Sequence, residues 1–252
     1  QAEPANLPPR LPPHLIEPPM AHAMKITCFA AMIVSTLALK VGEPSNPAPE
    51  PLGCGCMKWP DAVNNGAPVA EGEEIRDGFF MHMDNNYCVN LMMGVQYCYV
   101  SSECHQLNGG QVENERISSK ICTTKDERLL NKTMPELVAL AAKDDLDVGL
   151  LAKMAYPTPD KTRWSEAKLY FKTNRTMGLS ARQQYELKHV QMSGVPTVID
   201  SEDGHPPYAV VAGSQVYEVD MNSAYLLSVM TSGGSLFAHP NKITHASCVS
   251  GC

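Results

Sequence analysis

The sequence is short of three features that each mark a class of protein: excess positive charge, an apolar run long enough for a membrane, and a Cys-x-x-Cys motif. Its formal net charge is −7 and its isoelectric point is about 5.6. Even the most basic stretch, residues 161–172, contains Glu166 and follows Asp160. Because nucleic-acid-binding proteins cluster lysine and arginine against the phosphates, this charge predicts no nucleic-acid partner.

The main apolar run, residues 26–39, is too short for a membrane helix, which needs roughly 20 apolar residues. It follows Lys25 and ends near the small residues Ala38 and Gly42. A charged start, an apolar middle and a small-residue end form the pattern of a secretory signal. We therefore predict a signal peptide at residues 24–42, a secreted, extracellular protein and no stable membrane span. The alternative is a core helix that stays in the mature chain.

Proline-rich segments flank the predicted signal peptide. Residues 1–23 contain seven prolines and little apolar surface, which predicts a disordered leader or an extension from the gene model, with Met24 as the natural start. Residues 43–53 contain four more prolines and are predicted to be a linker.

The chain has nine cysteines, of which Cys28 lies inside the predicted signal peptide and would leave with it. An even number behind a secretion signal is typical of a disulfide framework, because the secretory pathway is oxidising. The eight cysteines predicted to form disulfides are Cys54, Cys56, Cys88, Cys98, Cys104, Cys122, Cys248 and Cys252.

The pairing of these eight cysteines stays open, because eight cysteines allow 105 connectivities. Cys54 and Cys56 are too close in sequence to bond to each other without strain, so each should reach a distant partner. A rival interpretation is a zinc site, with candidate ligands Cys104, His105, Cys248 and Cys252. The usual Cys-x2-Cys spacing is missing, so we predict no metal and no cofactor.

Two Asn-x-Thr triplets begin at Asn131 and Asn174. In a secreted chain such triplets are acceptors for N-glycosylation. We therefore predict a glycoprotein modified at these two asparagines.

The distribution of cysteines along the chain changes near residue 123. Residues 54–122 hold six cysteines, whereas the next cysteine after Cys122 is Cys248. This predicts an α+β protein, in which a small disulfide-rich module at residues 54–122 precedes an α/β segment at residues 123–252. An alternative is a fused gene product whose halves did not evolve together.

Capping patterns and hydrophobic periodicity predict the elements of the second segment. Thr133 with Glu136 and Ser180 with Gln183 form capping boxes, and Gly194 is a helix stop. The predicted helices are residues 133–143, 148–155, 160–172, 181–192 and 224–230. The predicted strands are residues 195–200 and a hairpin of residues 208–212 and 215–220 closed by Gly213 and Ser214.

The stretch "SGVPTVID", residues 193–200, resembles the thioredoxin fold of bacterial DsbA-like disulfide oxidoreductases, where Gly-Val-Pro-Thr follows a helix. The resemblance implies a cis proline at Pro196 beside an active-site dithiol. It also offers a different interpretation of "YAVVAGSQVYEV", residues 208–219, as a strand leading into a last helix. The family's chemistry needs a Cys-x-x-Cys motif, which this chain lacks, so the sequence favours binding over catalysis.

The segments "CGCMKWPDAVNN" and "RISSKIC" belong to a cysteine-rich part that resembles small secreted cysteine-rich proteins of filamentous fungi. The resemblance implies an effector-like protein that binds an extracellular or host protein. A further alternative is a ribonuclease-like protein. In it Glu218 and His245, with His205, would imitate the acid and base of secreted fungal guanyl-specific ribonucleases, although no arginine follows Arg182.

Overall fold

The computed structural model of the protein describes residues 53–67, 79–90, 95–159, 162–235 and 238–252. All of them fall within one compact unit, Ala48–Cys252. The predicted leader, the signal peptide with Cys28 and nearly all of the linker lie outside the described residues, so they stay predictions.

Two antiparallel sheets organise the described residues. The first contains strands β1 (Val89–Asn90), β2 (Gln96–Ser101) and β3 (Ile117–Ile121), in that order. The second contains strands β4 (Thr197–Ile199), β5 (Tyr208–Ala212), β6 (Gln215–Met221) and β7 (Thr244–Ser250), also in sequence order. The predicted α+β class is confirmed.

Helices precede the first sheet, separate the two sheets and connect the last two strands of the second. Those with both ends described are α1 (Trp59–Asn64), α2 (Met134–Asp144), α3 (Val148–Ala155), α4 (Trp164–Thr173), α5 (Ala181–Ser193) and α6 (Ser223–Ser232), with short 3-10 turns at Leu129–Asn131 and Pro240–Lys242. Within the described ranges, no helix combines the length and the apolar character needed to cross a membrane.

Local capping explains where the predicted helices begin and end. The Thr133 N–H donates to Glu136 Oε2 at 2.7 Å and opens α2. The Ser180 N–H donates to Gln183 Oε1 at 2.9 Å and opens α5. Helix α5 ends at Gly194, whose φ of +66° is one that glycine adopts without strain. The structure has both helices at the predicted positions.

The hairpin prediction for the second sheet is also correct. Strands β5 and β6 pair in register from Ala212 and Gln215 outward, with Gly213 in the turn at φ +62°. The alternative, in which residues 213–219 lead into a last helix, is wrong because residues 215–219 pair with β5. Strand β7, which pairs with β6, was not predicted.

The peptide bond before Pro196 is not cis, and the cis bond among the described residues is Pro206–Pro207. The prediction of a cis proline at Pro196 is therefore wrong. Gly194 already turns the chain at the end of α5, so no cis bond is needed before β4, where Thr197 pairs with Val211.

The two faces of the second sheet are buried in different apolar cores. Side chains alternate along a strand, so Val198 and Val210 enter one core while Ile199 and Val211 enter the other. Helices α4 and α5 cover the second core, which includes Trp164, Phe171 and Leu187.

The first core crosses the predicted boundary at residue 123. Trp59, Tyr99 and Ile117 from the cysteine-rich part pack in it with Leu137 and Leu151. The two parts therefore share one hydrophobic core. Their description as separate domains stays a prediction.

Helix α3 is hydrogen-bonded to both sheets. At its start, the Thr244 hydroxyl of β7 donates to Asp147 Oδ2 at 2.8 Å and accepts from the Gly149 N–H at 2.9 Å. At its end, the buried Gln96 side chain of β2 donates to the Ala155 carbonyl at 3.0 Å. The helix thus fixes the second sheet at one end and the first sheet at the other.

We expect Thr244→Val to lower the free energy of unfolding by about 1 to 3 kcal/mol, because the buried Gly149 N–H loses its acceptor. Thr244→Ser keeps the hydroxyl and should retain most of the stability. Urea denaturation followed by circular dichroism measures both variants. Equal stability of the two would contradict the role assigned to the hydroxyl.

Candidate functional site

All eight cysteines that were predicted to form disulfides are paired. Cys54 and Cys56 each bond to a distant cysteine rather than to each other, as their spacing predicted. The rival zinc interpretation is wrong, because its cysteines are bonded in two different disulfides. The pairs are Cys54–Cys104, Cys56–Cys98, Cys88–Cys122 and Cys248–Cys252.

Three of the disulfides form one cluster beside the first sheet, which we call the disulfide cluster (Cys54, Cys56, Cys88, Cys98, Cys104 and Cys122). Its core is closed to solvent, since Cys88 is 0% and Cys98 1% exposed. Backbone hydrogen bonds set its position: the Met57 N–H donates to the Tyr99 carbonyl, and the Cys122 N–H to the Gln96 carbonyl. The pairing of these cysteines depends on contacts between distant segments, so no local sequence pattern predicts it.

A buried ion pair lies against the disulfide cluster. Lys120 stands opposite Cys98 across β2 and β3, and its Nζ donates to the Cys54 carbonyl at 2.7 Å and to Asp126 Oδ1 at 2.9 Å. Both side chains are 5% exposed. Burial opposes ionisation of Asp126, but hydrogen bonds from Lys120 and Thr123 outweigh it and lower the pKa of that carboxyl. Sequence reasoning missed this pair.

An apolar cleft of about 390 Å³ runs along α5. Its volume lies in the range of about 300 to 1,000 Å³ that is usual for ligand pockets. Leu187 and Ile199, both buried in the second core, form its floor. The cleft, called the α5 cleft below, is lined by Pro159, Thr162, Arg182, Tyr185, Glu186, Leu187, His189, Val190 and Ile199.

The rim of the α5 cleft carries an aromatic pair and charged groups. The rings of Tyr185 and His189 stack at 6.3 Å, and the Tyr185 side chain is 71% exposed. Arg182 Nε donates to Glu186 Oε1 at 2.9 Å on the same helix. An apolar floor below a rim of aromatic and charged side chains suits an aromatic or aliphatic group. From the sequence, residues 181–192 were predicted only to be a helix, and no signal there indicated a cleft.

Glu218 and His245, the pair of the ribonuclease alternative, lie on one face of the second sheet. His245 stands opposite Asp220, two residues from Glu218 along β6. The Glu218 carboxylate accepts hydrogen bonds from Trp164 Nε1 at 3.0 Å and from Lys172 Nζ at 3.1 Å. His205 lies in the loop between β4 and β5, with its ring near Asp203.

The pKa of Glu218 is about 2. Burial alone would raise this value, but hydrogen bonds from Lys168, Trp164 and Lys172 outweigh burial. Efficient general bases have a pKa near the working pH, so this carboxylate is a weak base at neutral pH. Its contacts with α4 are those of a structural ion pair between the helix and the sheet.

Pro196, the proline of the DsbA-like resemblance, precedes strand β4 at one edge of the second sheet. Strand β7, which carries the disulfide-bonded Cys248, is at the other edge. The two sequon asparagines, Asn131 and Asn174, are exposed. Their glycosylation stays a prediction.

No protein-family model, curated protein or solved structure matches this chain. Neither the resemblance to DsbA-like oxidoreductases nor that to fungal secreted proteins is shown by a homologue.

The ion pairs of Glu218 predict that the free energy of unfolding depends on pH. Its folded pKa of about 2 lies below the ordinary value of 4.5, so its contribution is present above pH 4.5 and is lost as the pH falls toward 2. Each pKa unit is worth about 1.4 kcal/mol, and solvent screening at the partly exposed lysines reduces the total to about 1 to 2 kcal/mol.

We expect Glu218→Gln to remove this part of the pH dependence and to be less stable than the parent chain at pH 7. The measurement is urea denaturation at several pH values between 2 and 7. Parallel curves for the two chains, with the same loss of stability below pH 4.5, would refute the assignment.

Proposed function

We propose that the chain is a secreted, disulfide-stabilised protein that acts by binding, of the effector-like kind. The observation that carries the proposal is the disulfide cluster. Its three bonds close sequence separations of 50, 42 and 34 residues around a short three-stranded sheet. Loops of this size give about 4 kcal/mol of stabilisation per disulfide. Such bonds form and persist in oxidising compartments, which supports an extracellular location.

The α5 cleft supports action by binding. Its floor belongs to the rigid second core, while its rim offers the exposed Tyr185 ring and the Arg182 and His189 side chains. Aromatic and arginine side chains over an apolar floor are typical of the energetic centre of protein interfaces. The proposed partner is therefore an extracellular or host protein that inserts an aromatic or aliphatic side chain.

The test of secretion is to express the full chain in a eukaryotic secretory host. We expect the medium to contain a protein that has lost residues up to about 42, with four disulfides and glycans at Asn131 and Asn174. Non-reducing peptide mapping, before and after enzymatic deglycosylation, reports all three features. Retention in the cell, or free thiols among the eight cysteines of the secreted protein, would overturn the proposal.

The test of the cleft uses anilinonaphthalene sulfonate, an aromatic anion that fluoresces in apolar sites. We expect it to bind the folded chain, and Tyr185→Ala to weaken binding about fivefold through loss of ring contact. Met177→Ala is the matched control, because Met177 is 74% exposed and does not line the cleft. Fluorescence titration measures the affinities, and an equal loss in both variants would show that the dye binds elsewhere.

A further inference from the structure

Two disulfides of the cluster lie directly against each other. The sulfur atoms of Cys56, Cys88, Cys98 and Cys122 all lie within 4.8 Å of one another. Across the two bonds, Cys56 Sγ is 3.8 Å from Cys88 Sγ. We propose that, when both disulfides are reduced, these four cysteines bind one Zn²⁺ ion through four thiolates.

The sulfur positions fit a tetrahedral ion. With Zn–S bonds of about 2.3 Å, the sulfurs of a tetrahedral site are about 3.8 Å apart. The Cys56–Cys88 separation already has this value, and the bonded pairs move apart when their S–S bonds break. Every other sulfur separation in the group is at most 4.8 Å, so side-chain rotation covers the remaining adjustment.

Backbone hydrogen bonds position the four cysteines in addition to the disulfides. Cys98 lies within β2, and the Cys122 N–H donates to the Gln96 carbonyl of the same strand. The Cys88 N–H donates to the Glu127 carbonyl. Next to Cys56, the Met57 N–H donates to the Tyr99 carbonyl at 2.7 Å. These hydrogen bonds do not involve sulfur, so breaking the S–S bonds removes none of their donors or acceptors.

Access and charge also suit a metal. Cys88 and Cys98 are buried, whereas Cys56 and Cys122 are partly exposed and give a reductant and an ion a way in. Asp126 Oδ1 is 4.0 Å from Cys56 Sγ, and Lys120 neutralises this carboxylate, so the ion pair adds no net negative charge beside the thiolates.

The chemistry balances with a dithiol as the reductant. Each of two dithiol molecules gives two electrons and two protons to one disulfide and becomes a disulfide itself, so four thiols form. Binding of Zn²⁺ then releases four protons and forms four Zn–S bonds. The first sheet would thus stay cross-linked in both oxidising and reducing surroundings. The inference rests on the sulfur geometry and does not depend on the proposed function.

The test uses Co²⁺ as a spectroscopic stand-in for Zn²⁺, because four thiolates give it intense visible absorption bands. The full chain is reduced with excess dithiothreitol, freed of reductant without oxygen and titrated. We expect a site for one Co²⁺ per chain that Zn²⁺ displaces, and no such bands for the oxidised chain. Absence of tetrathiolate bands from the reduced chain would overturn the inference.

Two variants assign the ligands. Replacing Cys54, Cys104, Cys248 and Cys252 together by alanine should preserve binding of one Co²⁺, whereas Cys56→Ala/Cys98→Ala keeps more cysteines but should bind at least a hundredfold more weakly. If the fourfold variant does not fold by circular dichroism, Cys248→Ala/Cys252→Ala takes its place. Equal affinity of the cluster variant and its control would refute the site, since binding would then come from unspecific thiols.

Discussion

The fixed position of helix α3 is the constraint on which the rest of the structure depends. Its start is bonded to β7 through Asp147 and Thr244. The carbonyls of Ala155, its last residue, and of the following Tyr156 accept from Gln96 and Asn90 of the first sheet. Leu151 and Ala155, on the helix between these ends, are completely buried in the first core. Since buried polar groups need partners, sliding the helix along either sheet would break several bonds together.

The elements that could be predicted from the sequence are those with local signals. Helices α2 and α5 begin at capping boxes, Gly194 ends α5, and Gly213 closes the β5–β6 hairpin. In each case the residues that decide the structure are within four positions of one another, so the sequence shows them together. The disulfides could also be predicted, because an even number of cysteines behind a secretion signal is typical of proteins that fold in an oxidising compartment.

The rest depends on contacts that sequence spacing does not encode. Lys120 is a charged residue in a short strand, and only the fold reveals that Asp126 partners it in the interior. Strand β7 lacks a regular alternation of apolar and polar residues. It pairs with β6, and the hydrogen bond from the Thr244 N–H to Asp147 holds its first residue against the start of α3. The α5 cleft likewise requires Ile199 of β4 to lie near Tyr185 of α5. Tertiary packing brings these two residues together, and no sequence pattern predicts it.

The disulfide cluster and the α5 cleft are built on different cores. The described residues of the second core include no cysteine, and the floor of the cleft, Leu187 and Ile199, belongs to it. The cluster belongs to the first sheet, whose link to the second sheet runs through the first core and α3. A change in the oxidation state of the cluster therefore has to pass through the first core or α3 to reach the cleft. Asp147 and Gly149 hold the start of that helix on β7, and the disulfide cluster and the α5 cleft lie in different parts of the fold.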